Sequence, residues 1–308
     1  MSAGPGPAVL VTGGLGFIGQ YVVERLAESG RAVVSYNRDY AESDDPRVRM
    51  VQGELFDLPR LVRTIQDEGV DRIIHTAAMS HPTVSIDLPI TTFAANVDGT
   101  LKVFEAARLA GVRRIVNFSS ECAYGHCEGP VSEDAPRRPL TPYGVTKVTT
   151  ELLADVYNVL YGMDIVSLRI TEVWGPRNRM PGPVRDLLRA AIDGSAYELD
   201  HGADHCFNLV HARDVARAAV LAADADDPSQ PVFNVAGGDY LSFEELSARV
   251  REIFPDARIV LGPGPVPDRD RQGPYSIEAA RRELGYEPEW TLERGLGEYA
   301  DWLRSNPA

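Results

Sequence analysis

The chain has 308 residues, of which 44% are hydrophobic and 25% charged, enough for one large core or two unequal lobes. Its 45 acidic residues outweigh its 31 basic ones, for a net charge of −14, which argues against nucleic acid or an anionic membrane as the main partner. No apolar run reaches the ~18–20 residues of a membrane span, and no basic-then-apolar leader opens the chain, so a cytoplasmic protein is expected.

The first half alternates short β-rich runs with helical patterns. Strands are expected at 9–12, 32–36, 48–52, 72–76, 114–119 and 165–170, and helices at 17–29, 58–68, 86–110 and 141–161. Such alternation implies a parallel sheet with helices on both faces, whose ligands sit beyond the carboxyl ends of the strands. The second half is less regular, with Pro and Gly clustered at 175–183 and 262–274. Helices are expected at 184–193, 212–223, 242–253, 277–285 and 292–303. The α/β fold class is therefore a doubly wound, Rossmann-type parallel sheet with a smaller, discontinuous α/β substrate lobe. Residues 1–171 plus 207–238 form the dinucleotide-binding domain in this reading, and 172–206 plus 239–308 the second lobe.

The first strand runs into Gly13-Gly14-Leu15-Gly16-Phe17-Ile18-Gly19. Glycines at 13, 16 and 19 permit a tight turn and close approach of a pyrophosphate, and the following helix start offers free N–H groups to an anion. The second strand ends at Asn37-Arg38. An acidic residue there would bind the adenosine ribose and repel a 2′-phosphate; Asn37 lacks the charge, and Arg38 suits a phosphate. The cofactor is thus read as NAD(P), leaning to NADP.

Thr141-Pro142-Tyr143-Gly144-Val145-Thr146-Lys147 opens a helix, with Thr141 as N-cap and Pro142 at the first helical position. Tyr143 and Lys147 then stand one turn apart on one face. A free phenol is a poor base at neutral pH; a neighbouring ammonium favours the phenolate, which can take a hydroxyl proton as a hydride leaves the same carbon. Ser120, ending the fifth strand, can donate to the reacting oxygen. Three cysteines, Cys122, Cys127 and Cys206, suit reduced thiols. Cys122, His126 and Cys127 lie together without a second ligand cluster, and no metal is expected.

Together these residues resemble the extended short-chain dehydrogenase/reductase family, which includes NAD-dependent sugar epimerases and dehydratases such as UDP-glucose 4-epimerase. The resemblance covers nearly the whole chain. It runs through His75-Thr76-Ala77-Ala78-Met79-Ser80-His81, Asn96-Val97-Asp98-Gly99-Thr100, Ser119-Ser120, Leu168-Arg169, Trp174-Gly175-Pro176-Arg177, Val210-His211-Ala212-Arg213-Asp214-Val215 and Arg282-Glu283-Leu284-Gly285-Tyr286. It implies Ser120, Tyr143 and Lys147 as catalytic residues. It implies cofactor contacts from Gly13, Gly16, Phe17, Ile18 and Gly19 at the pyrophosphate, and from Glu54 and Leu55 at the adenine. Ala77, Ala78, Asn96 and Ser119 would line the route to the nicotinamide, with Ile170 and Val173 nearby. Substrate would lie between the lobes, against Ser80, His81, Glu121, Cys122, Glu172 and Arg179. It also implies a homodimer through the helices at 86–110 and 141–161.

Three departures bear on the reaction. Dehydratases of this family carry Asp-Glu just after the serine or threonine, where this chain has Glu121-Cys122. The Ser120-x-Cys122-x-Tyr124 pattern is similar to the GDP-fucose synthase branch, but that branch's partner histidine is absent from 177–188. Glu172 stands where many sugar-nucleotide enzymes have Asn, and would repel a diphosphate unless Arg177 or Arg179 neutralises it. The leading reading is hydride transfer at a carbinol carbon of a sugar by a sugar-nucleotide epimerase. The alternatives are an NADP-dependent dehydrogenase or ketoreductase of a non-nucleotide hydroxy compound, and a nonenzymatic NADP-binding redox sensor.

Overall fold

A computed structural model describes residues 7–267 and 269–307. Seven strands form one wholly parallel sheet: β1 (Ala8–Thr12), β2 (Val33–Asn37), β3 (Val48–Gln52), β4 (Val70–His75), β5 (Arg114–Ser120), β6 (Asp164–Ile170) and β10 (Val232–Val235). Their order is β3-β2-β1-β4-β5-β6-β10. The chain leaves β1 to one side for β2 and β3, then to the other for β4. The crevice beyond β1 and β4 is therefore the switch point, where such sheets take ligands.

Side chains alternate along β1. Val9 and Val11 enter a core with α1 (Phe17–Glu28) and α8 (Ala212–Asp224), while Leu10 enters the opposite core with α2 (Leu58–Asp67), α5 (Gly99–Ala110) and α6 (Pro142–Tyr161). Burial on both faces is why these strands read as continuous apolar runs. A third core joins Trp174, Leu187, Phe207, Phe243, Leu246, Leu296 and Tyr299. They belong to β7 (Glu172–Trp174), α7 (Pro183–Asp193), β9 (Cys206–His211), α9 (Phe243–Ile253) and α11 (Leu292–Ser305).

Two expectations change. The helix expected over 86–110 is broken into α3 (Pro82–Asp87), α4 (Pro89–Phe93), a π turn at Ala94–Asp98 and α5. Pro89 forces Leu88 out of helical geometry, to φ −124° and ψ 52°. The second half also contains short strands that its Pro- and Gly-rich sequence hides. β7, β9 and β11 (Asp239–Ser242) form one small sheet, and β8 (Tyr197–Gly202) pairs with β12 (Ile259–Gly262). β9 thus pairs with β7 and β11, whereas β10 returns to the large sheet.

Candidate active site

The glycine turn is built by backbone contacts that no side chain would survive. Gly13 takes φ +70°, and its carbonyl accepts from the Gly16 N–H at 2.8 Å. A Cβ on Gly19 would lie 2.0 Å from that carbonyl oxygen. Gly16 precedes α1 with no side-chain cap, so the first N–H groups of the helix stay open to an anion. These residues fit a dinucleotide pyrophosphate. Gly19→Ala is expected to weaken cofactor binding by about tenfold or more, because the turn must open to admit the methyl group. Titration with the reduced cofactor, followed by fluorescence, checks this; unchanged affinity would separate the turn from the cofactor.

At the carboxyl end of β5 the chain passes through Ser119 and Ser120 into a 3₁₀ turn, Glu121–Ala123. The Ser120 hydroxyl accepts from the Cys122 N–H at 3.2 Å. Thr141 caps α6 by accepting from the Gly144 N–H at 3.1 Å, with Pro142 opening the helix. That start places Tyr143 and Lys147 side by side, 7% and 5% exposed, and both line a cavity of about 290 Å³. The same cavity touches Phe17 and Ile18 at the start of α1, and Glu172, His205, Asn208 and Arg269 from the second half. The tyrosine–lysine pair and the glycine-turn helix therefore open onto one space.

Burial pushes the Tyr143 phenol above its usual range, and the facing Ser120 hydroxyl only partly offsets this. Burial pulls Lys147 down to about 8, and its Nζ donates to the Phe118 carbonyl at 2.6 Å. Without cofactor, burial thus favours the neutral phenol of Tyr143. Desolvation is the largest cause of both shifts. Burial likewise pushes the Cys122 thiol and the Glu121 carboxyl above their usual ranges.

Of the other expected site residues, Ala78, Ser80, His81, Ser119, Glu121, Cys122, Ile170, Glu172 and Val173 line this cavity. Ala77 backs the turn, its Cα 2.9 Å from where a Gly13 Cβ would stand. Asn96 is buried behind the site. Its amide donates to the Met79 carbonyl at 3.1 Å and to Thr146 Oγ1 at 3.1 Å, so it fastens the loop after β4 to α6. Asn37 is held by the turn itself, accepting from the Leu15 N–H at 2.8 Å and donating to Ser35 Oγ at 2.9 Å. Arg38 points to solvent, its Nε 3.8 Å from an Asp39 carboxylate oxygen. The Glu54 carbonyl accepts from the Tyr36 hydroxyl at 3.1 Å, and Leu55 packs on Gly99.

Neither expected arginine meets Glu172. Arg177 pairs with Glu24 at 2.7 Å, and Arg179 is exposed. The partner is Arg269, 3.3 Å away and 97 residues further along. Sequence reading missed it, together with His205, Asn208, Asp270 and Gln272. For Arg269, Asp270 and Gln272 the irregular stretch at 262–274 was the pointer, and it carries no periodicity to say which side chains turn inward.

The sequence profile of the NAD-dependent epimerase/dehydratase family matches residues 9–236. The chain belongs to that family. Its relatives include a dTDP-glucose 4,6-dehydratase of Streptomyces antibioticus, 31% identical over 97% of this chain and 93% of that protein. A UDP-glucose 4-epimerase of Mycolicibacterium smegmatis is 31% identical over 96% and 98%. Among solved structures, MoeE5 in complex with UDP-glucose and NAD superposes with a TM-score of 0.86 at 31% identity, over 97% of this chain and 99% of that one. A UDP-glucose 4-epimerase from Thermotoga maritima gives 0.87 at 26%, over 97% and 99%. This epimerase/dehydratase-family protein is an enzyme with a Rossmann fold.

Proposed function

We propose that this enzyme epimerises a carbinol carbon of a nucleotide-linked sugar, using NAD. Residues 1–171 with 207–238 hold the cofactor in this reading, and 172–206 with 239–308 hold the sugar nucleotide. The observation that carries it is the single cavity joining the start of α1, the Ser120–Tyr143–Lys147 group and the Glu172–Arg269 pair. Cys122 supports epimerisation over dehydration, because it stands where the dehydratases hold the second carboxylate. Arg269 answers the repulsion that Glu172 alone would exert on a diphosphate. NAD is favoured over NADP because Asp39 lies beside Arg38 and Asn37 is engaged by the turn.

When bound, NAD supplies the hydride acceptor and, in oxidised form, a positive charge that favours ionisation of a nearby phenol. Tyr143 takes the substrate hydroxyl proton and returns it after the sugar has turned over. Ser120 donates to the oxygen as it becomes a carbonyl. Lys147, held on the Phe118 carbonyl, sits one turn behind Tyr143, its Nζ 5.4 Å from the ring centroid. The test is incubation with UDP-glucose, dTDP-glucose and UDP-glucuronate, followed by proton NMR. A new epimer without net absorbance change at the nicotinamide band is expected. Loss of water to a keto-deoxy sugar, or net accumulation of reduced cofactor, would overturn the epimerase reading.

We also propose a cytoplasmic homodimer. Its three cysteines are unpaired. Along α6, Val145, Leu152, Val156, Val159 and Leu160 form an exposed apolar stripe, with Val159 82% exposed, and Ile90 on α4 is 85% exposed. An apolar stripe of this kind on a folded chain marks a partner surface. Val159→Glu with Val156→Glu is expected to halve the mass seen by light scattering. A wild-type chain that runs as a monomer would sink the idea.

A further inference from the structure

Between β7 and α7 the chain forms one wall of the cavity, lined by Asn178, Met180 and Pro181. The wall starts from a tight turn. The Asn178 N–H donates to the Gly175 carbonyl at 3.3 Å, with Pro176 second and Arg177 third in the turn. Arg177 takes φ +70°, and among the described residues only Asp227 shares a positive φ without being glycine. A turn with proline second and positive φ third ordinarily has Gly or Asn there, because a larger side chain strains the left-handed backbone. An arginine held against that strain directs attention to what its side chain does.

That side chain reaches out of its own lobe to α1. Its guanidinium lies 4.8 Å from the centroid of the Tyr21 ring, and Nη1 lies 2.7 Å from Glu24 Oε1. Tyr21 is 4% exposed, and its hydroxyl donates to the Pro176 carbonyl at 2.8 Å. Two residues of α1 thus grip the turn at Pro176 and Arg177. From the other side, the Tyr299 hydroxyl on α11 donates to the Asn178 carbonyl at 2.9 Å, and Asn178 Oδ1 accepts from the Met180 N–H at 3.0 Å. The wall is therefore fixed between α11 and α1, and the first residues of α1, Phe17 and Ile18, line the same cavity.

We propose that Arg177 is a positioning residue for the substrate: it clasps the 178–181 wall to α1 and so holds the surface against which the sugar nucleotide lies. The inference deepens the epimerase reading and rests on it for the substrate. Arg177 does not line the cavity and stands apart from Ser120, Tyr143 and Lys147, so the clasp governs binding and not the proton or hydride step. A wall free to move loses contacts that substrate and transition state use alike, which raises KM and spares kcat.

The experiment measures epimerisation of UDP-glucose by the NAD-loaded enzyme. Arg177→Ala is expected to raise KM by about tenfold, with kcat within about threefold and NAD affinity within about twofold of wild type. Arg177→Gly should raise KM as much, although glycine suits the turn better, which separates the clasp from the backbone strain. Glu24→Gln should raise KM by about threefold, in keeping with a half-exposed ion pair. Arg177→Lys keeps the charge and should stay within about threefold of wild type. Hydrogen exchange of the NAD-loaded proteins, read by mass spectrometry, should be about tenfold faster over 176–182 in Arg177→Ala and Arg177→Gly, and unchanged over 17–28. A KM within about twofold of wild type in both variants, or losses of kcat and NAD affinity as large as the change in KM, overturns the role of Arg177 while the epimerase reading stands. If no UDP-hexose turns over, the epimerase reading falls, and exchange alone judges Arg177: unchanged protection over 176–182 overturns the clasp too.

Discussion

Tyr143→Phe lowers kcat by about 10³-fold and leaves NAD affinity within about twofold of wild type. The substitution removes one oxygen from a buried ring. Without it, nothing at that point takes the hydroxyl proton as the carbonyl forms. Ser120 can donate to the oxygen but cannot serve as the base, and Lys147 Nζ is directed at the Phe118 carbonyl. The fold should not suffer, because α6 is capped by Thr141 and the ring itself stays in place. Steady-state kinetics by NMR, with the nucleotide content of the purified variant measured beside it, tests both halves. A kcat within threefold of wild type would remove Tyr143 from the chemistry. Equal loss of cofactor would make it a structural residue.

Arg169→Met destabilises the protein by about 3–5 kcal/mol. Arg169 on β6 and Glu151 on α6 form an ion pair inside the molecule, with side chains 4% and 0% exposed. Two parallel bonds join them, Nη2 to Oε2 at 2.8 Å and Nε to Oε1 at 2.9 Å. Arg169 also donates to the Tyr124 hydroxyl at 2.7 Å and the Glu133 carbonyl at 2.8 Å. Methionine fills the space but strands the Glu151 carboxylate, with the more distant Arg137 at 3.2 Å as its remaining cation. Removing one partner of a buried pair is costlier than removing both, since the lone charge keeps its desolvation penalty. The double variant Arg169→Met with Glu151→Leu is therefore expected to recover part of the loss. Urea titration of the four proteins measures this. A single-variant loss under about 1 kcal/mol, or a double variant worse than the sum, would contradict the argument. Because Ser119 donates to the same carboxylate, the end of β5 should loosen as well, and kcat should fall even where Arg169→Met is folded.

Some features were legible from the chain alone because their cause is local. The glycine turn announces itself by spacing, since a Cβ at Gly13 or Gly19 would run into neighbouring backbone. The start of α6 is written in Thr141 and Pro142, and the four-residue interval puts Tyr143 and Lys147 together whatever surrounds them. The alternation of strands and helices was enough to give the parallel sheet. Strand ends shifted by a residue or two, and the helix expected over 86–110 broke where Pro89 excludes regular geometry.

Other features depend on what lies opposite, and no local pattern encodes that. The bonds by which Asn96 ties the loop after β4 to α6, and Asn37 steadies the glycine turn, are of this kind. Spacing shows the lysine near Tyr143 but not the burial that raises the phenol in the absence of cofactor. The cation facing Glu172 was assigned to Arg177 or Arg179, close in sequence, whereas the fold brings Arg269 from a loop without periodicity. Sequence by itself determined the family, the sheet and the side-by-side placement of Tyr143 and Lys147, because backbone sterics and helical spacing act over a few residues. Tertiary structure alone decided the burial of Tyr143 and Lys147 and the pairing of Glu172 with Arg269, because desolvation and ion pairing depend on groups that meet only when distant segments fold together.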